Sequence, residues 1–120
     1  MTDDAPCQKA SAPPSAHPTE PAVRVTVLVS MHDRAHRHSL VVELVRRAHR
    51  AGMAGVTVFE GREGFGESRR VHHTHVLSDD APASVVLIDR SERVDAFLHE
   101  IAELLEDVLV VIDDVEIVRL

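Results

Sequence analysis

Two strand–helix–strand patterns separated by a glycine-rich connection fill almost all of this sequence, and that order restricts the folds open to it more than any other feature. Val23, Val25, Val27 and Val29 alternate with Arg24, Thr26 and Leu28, which predicts a strand with one apolar face. Ser30–Arg37 is a polar, histidine-rich loop leading to a helix that Ser39 can cap. Leu40, Val41, Leu44, Val45 and Ala48 recur at helical spacing, with Glu43 able to reach Arg46 or Arg47 on the opposite side. Gly52 stops this helix, and Val56–Glu60 is the second strand.

The second unit repeats the scheme. Ser84–Asp89 reads as a strand that is apolar on both faces through Val85, Val86, Leu87 and Ile88. Ser91 can cap the next helix, whose stripe is Val94, Phe97, Leu98, Ile101, Leu104 and Leu105. Val108–Ile112 is the last strand, interrupted at Asp113–Asp114 by a bulge or bend before Val115–Leu120 resumes. Short connections and the handedness rule turn this order into an α+β, ferredoxin-like βαββαβ sandwich: a four-stranded antiparallel sheet with two helices on one face. Two helices cover a single face, yet the last two strands are apolar on both. A sheet with one wet face normally alternates, so the pattern predicts a homo-oligomer packed sheet against sheet.

Residues 1–21 are rich in Pro, Ala, Ser and Asp and have no periodic apolar face, which predicts a disordered tail ahead of a domain spanning residues 22–120. Cys7 is the sole cysteine, so no intrachain disulfide and no multi-thiolate metal site can form. The net charge of −7 and the absence of Trp and Tyr argue against nucleic-acid binding, which needs basic surface and stacking platforms. No run is long enough to span a membrane and the N-terminus has no signal pattern, so a cytoplasmic protein without direct membrane insertion is expected.

Chemistry concentrates in the connection. Gly61–Gly66 reads Gly-Arg-Glu-Gly-Phe-Gly, and Arg69 and Arg70 follow shortly. Backbone N–H groups freed by glycine, with Arg62, Arg69 and Arg70 nearby, suit an anion. The segment opens no helix and lacks the Lys-Ser/Thr of a P-loop, so it is neither a dinucleotide fingerprint nor a nucleotide-triphosphate loop. His72, His73 and His75 form a histidine cluster that offers an alternative function as a metal-binding trimer, although their spacing matches no recurrent zinc pattern. The acid pairs Glu106–Asp107 and Asp113–Asp114 read as solvated charges, no nucleophile has a base beside it in sequence, and a non-enzymatic role is expected.

Ala51–Glu67, together with His72, the Leu77–Pro82 turn, Val86–Arg90, Glu92–Arg93 and Phe97–Leu98, resembles the PII-like bacterial family called domain of unknown function 190. The resemblance runs from about Val23 to the C-terminus. It implies a homotrimeric regulatory protein that senses ATP, ADP, AMP or a related small anion in a cleft between subunits. The 61–82 loop would then control a partner, such as a membrane transport protein of the fluoride-channel kind. Site residues implied on this footing are Gly61, Arg62, Gly64, Phe65, Gly66, Arg70, His72, Asp89 and Arg90. The alternative resembles the cation-tolerance proteins, which share the trimeric fold. This chain departs from the family in having Ser30–Met31 where a glycine–glutamate pair is usual, and Val108 where a glycine is usual.

Overall fold

A computed structural model describes residues 17–35, 37–61, 63–65, 71–73 and 81–120, with segments 63–65 and 71–73 described by their backbone. The main sheet contains β1 (Thr19–Ser30), β2 (Gly55–Glu60), β3 (Pro82–Asp89) and β4 (Leu109–Val118). Their order across the sheet is β2-β3-β1-β4, and every neighbouring pair is antiparallel. Helix α1 (Leu40–Arg50) joins β1 to β2, and α2 (Ser91–Glu100), extended by a 3₁₀ turn at Ala102–Leu105, joins β3 to β4. This is the ferredoxin-like arrangement that the order of elements predicts.

The alternation in β1 decides which face becomes the core. Val25, Val27 and Val29 are buried opposite Leu87, Val85 and Ala83 of β3. Leu40, Val41, Leu44 and Ala48 of α1 close over them, joined by Val94, Phe97, Ile101 and Leu104. Leu44, Leu87 and Ile101 are fully enclosed, and truncating any of them to Ala would cost roughly 2–5 kcal/mol.

The ends of α1 follow the sequence signals. Ser39 Oγ accepts from the Val42 N–H at 3.3 Å. Gly52 takes φ +73°, the left-handed conformation that stops a helix with least strain in glycine, and its N–H donates to the His49 carbonyl at 3.1 Å. Arg93 of α2 donates to the Ala51 and Gly52 carbonyls at 3.2 and 2.8 Å, placing a cation at the negative end of α1.

Four local features differ from the sequence expectation. Strand β1 begins at Thr19, before the alternation becomes regular; Pro21 fits because β1 there pairs with β4 alone, and pairing with β3 starts at Val23. The N-cap of α2 is Arg90 rather than Ser91, with no side-chain cap: the Arg90 carbonyl accepts the first helical bond, from the Val94 N–H at 3.0 Å. Glu43 meets Arg47 at 2.9 Å, as the spacing predicts, but is buried although it lies off the apolar stripe. Asp113–Asp114 is neither bulge nor bend: β4 continues through it in register, Asp113 opposite Arg24 and Asp114 opposite Val23. Among the described residues no helix is long and apolar enough to cross a membrane.

Candidate functional site

The C-terminal ends of β1 and β2 and the N-terminal ends of β3 and β4 meet at one end of the sheet. There the connection after β2 leaves through a narrow neck. The Gly61 N–H donates to the Pro82 carbonyl at 2.6 Å, and the Met31 N–H donates to the Ala81 carbonyl at 2.8 Å. A Cβ at Gly61 would lie 3.1 Å from Pro82 Cγ, so glycine allows the two chain segments to approach this closely. The buried Ser30 braces the adjoining turn: its N–H donates to Asp33 Oδ2 at 2.9 Å and its Oγ accepts from the His32 N–H at 3.0 Å.

Beyond the neck the chain forms a short ribbon, Glu63–Phe65 paired with Val71–His73. Gly64 lies opposite His72, and Phe65 lies opposite Val71. The structure therefore brings Gly61, Gly64, Phe65 and His72 together on one antiparallel stem. Arg62, Gly66 and Arg70 lie outside the described residues, as does His75 of the histidine cluster. Among the described residues no group of three or more His, Cys, Asp or Glu side chains could hold a metal ion. Val108 stands at the same end of the sheet, next to Leu109, which pairs with Leu28. Its side chain packs against the core, a structural task that glycine could not perform.

Asp89 and Arg90 lie at the far end of β3. That strand has eight residues, which puts them roughly 23 Å from the neck at 3.3 Å per residue. Asp89 is buried, and its carboxylate accepts from the Ala54 N–H at 2.9 Å and the Arg90 N–H at 2.7 Å, and pairs with Arg93 at 3.2 Å. It ties the start of β2 and the start of α2 to the end of β3. Arg90 is exposed. Among the described residues, the sequence-derived site residues thus separate into two groups within one protomer.

The sheet face that the strand pattern left uncovered carries a pair of charges that residue types alone did not reveal. The sheet face away from the helices holds an open groove of about 490 Å³ lined by Arg24, Thr26, Phe59, Val86, Ile88, Val111 and Asp113. Arg24 donates from Nη2 to Asp113 Oδ2 at 2.7 Å and from Nε to Oδ1 at 3.2 Å, a fork that bridges β1 and β4. The hydrogen bonds, reinforced by charge, hold the Asp113 carboxyl below the usual carboxylate range and raise Arg24 further. Phe59 is 57% exposed, Val111 45% and Leu109 41%, so this face offers bulky apolar side chains to the surroundings. The available signal was Arg24 itself, a single cation among the valines of β1.

This architecture is the PII-like version of the ferredoxin-type fold. Residues 22–117 match the DUF190 family, described as an uncharacterized ACR, and the chain belongs to that family. It is 33% identical over 79 residues to a UPF0166 protein of Aquifex aeolicus, an alignment covering 64% of this chain and 74% of the relative. CPII from Thiomonas intermedia K12, a nitrogen regulatory PII-like protein solved bound to ADP, AMP and bicarbonate, shares the fold with a TM-score of 0.67 at 21% identity. That match covers 87% of this chain and 94% of CPII. The apo form of CPII matches with a TM-score of 0.60 at 19% identity, over 88% of this chain and 100% of CPII.

Proposed function

We propose that this protein is a PII-like regulator rather than an enzyme. Copies associate through the open sheet face into a homotrimer. An adenine nucleotide or related small anion enters the cleft between subunits at the base of the 61–82 connection. Binding changes the order of that connection and so its affinity for a partner, for which a membrane transport protein is our candidate.

The observation that carries this reading is the stem hinged at Gly61 and Pro82. It rises from the same end of the sheet as Val108, and in the sequence Arg62 directly precedes Glu63 and Arg70 directly precedes Val71. Backbone N–H groups with flanking guanidinium groups suit phosphate oxygens. The separation of Asp89 and Arg90 from the stem supports a cleft between copies. No single small anion reaches both groups in one protomer, so a site using both must draw them from two chains. Asp89, with its carboxylate already bonded, would act there by holding Arg90 and the start of α2 in place. The nucleotides bound to CPII, which has the same fold, make adenine nucleotides the first ligands to test.

Binding shifts the connection only to the extent that the ligand prefers one of its states. Isothermal titration of the full chain with ATP, ADP, AMP and cyclic nucleotides tests the reading. Saturable heat with at least one of them is expected, and no binding by any would contradict it.

A further inference from the structure

On the open face an ion pair stands where its surroundings are apolar. Arg24 and Asp113 join β1 to β4 among Thr26, Val86, Ile88 and Val111, and their side chains are 47% and 44% exposed. The chain has little of its own to cover this face. Residues 1–16 contain one large aliphatic side chain, Met1, and residues 62–80 contain four large apolar ones, Phe65, Val71, Val76 and Leu77, too few to cover it. The cover is therefore another chain, and charge favours a second copy. The pair neutralises itself within the protomer, so the face brings no net charge to the contact although the whole chain carries −7.

We propose that the Arg24–Asp113 pair is the register key of this self-association face, fixing how copies align and how many assemble, at some cost in affinity. The inference rests on the oligomeric part of the reading above. While half-exposed, such a pair contributes little. Once a facing copy covers it, the pair loses its water, and it then gains little over apolar residues of similar size. Its effect is selective instead, because a covered charge without a partner is strongly disfavoured, and single buried polar groups can fix register and copy number in the same way. A guanidinium carries five N–H donors, so the fork to Asp113 leaves others for acceptors on the facing copy. Alignments that place an apolar side chain over the pair are rejected.

Sedimentation velocity and native mass spectrometry on the full chain test this with five proteins. They are the wild type, Arg24→Met, Asp113→Leu, the double variant Arg24→Met/Asp113→Leu, and the exchange Arg24→Asp/Asp113→Arg. The wild type is expected to show a single stoichiometry. Each single variant should weaken association by roughly thirtyfold or more, because one charge is then covered without a partner. The double variant should assemble at least as tightly as the wild type but as several species, and the exchange should restore a single species. Circular dichroism of each protein at low concentration separates misfolding from loss of assembly. Single variants that assemble as the wild type does, or a double variant that keeps one stoichiometry, would overturn the key and leave the oligomer standing. A wild type that stays monomeric at every concentration would overturn the oligomeric reading as well.

Discussion

Gly61 and Pro82 meet across the neck of the long connection, the N–H of one 2.6 Å from the carbonyl oxygen of the other. The contact joins the residue after the end of β2 to the first residue of β3, so the connection is anchored to the sheet at its base. A methyl group at position 61 would press on the Pro82 ring at 3.1 Å. Gly61→Ala should therefore destabilise by roughly 1 kcal/mol, the low end of overpacking costs, and Gly61→Val by more. Urea denaturation reads the stability. Limited proteolysis of the connection should speed up in the same order if the neck controls it.

Asp89 holds three groups at once, the Ala54 and Arg90 N–H groups and the Arg93 guanidinium. Replacing it with Ala removes the acceptor shared by the Ala54 and Arg90 N–H groups and the Arg93 guanidinium, and should cost roughly 1–3 kcal/mol. Asp89→Asn keeps one acceptor oxygen and should cost less. Thermal melts of the two variants give the ranking, and equal losses would mean that the charge matters more than the acceptor geometry.

Glu43 gives α1 a pH dependence of known sign. The Arg47 hydrogen bond, ahead of the opposing effect of burial, holds the Glu43 carboxyl below its ordinary value of 4.5. A carboxyl lowered by folding adds stability above its unfolded pKa and loses it as pH falls through the folded value. This contribution should thus be lost from the wild type as pH falls below about 4.5, and Glu43→Gln should show a flatter profile there. The two melting curves should converge in acid and separate toward neutral pH, the wild type being the more stable there.

Val111 and Val42 are both exposed valines, at 45% and 53%, but Val111 lies on the open sheet face and Val42 on α1. Val111→Lys should dissociate the assembly, since it adds a covered charge where the neighbouring Asp113 is already paired with Arg24. Val42→Lys should leave the assembly intact. Sedimentation of both variants against the wild type checks the contrast, and dissociation by Val42→Lys would point to a helical interface instead.

The fold was legible because its cause is periodic. Alternation at Val23–Val29 and helical spacing at Leu40–Ala48 are repeated local preferences, and both became core. Errors arose where a distant partner decided the outcome. Asp113 looked like a break in β4 because Arg24, which stabilises it within the strand, lies 89 residues away in the chain. Glu43 looked solvent-facing because its burial depends on α1 packing, with Arg47 also reaching Glu103 beyond α2. Ser91 was misjudged for a local reason instead: the helix begins one residue earlier, with the Arg90 carbonyl accepting from the Val94 N–H. For the site, composition marked Gly61 as special, but its reason is a contact with Pro82 on another strand. The distance between the stem and Asp89–Arg90 follows from the sheet register and could not be read from residue types.

Amide hydrogen exchange across residues 61–82, with and without saturating ADP, tests most directly whether ligand binding is coupled to this connection. The proposed function predicts slower exchange with ADP at Glu63–Phe65 and Val71–His73, the two strands of the stem, and little change at core positions such as Val27 and Val85. Exchange across 61–82 that stays the same with ADP, and with ATP and AMP in parallel runs, would contradict it.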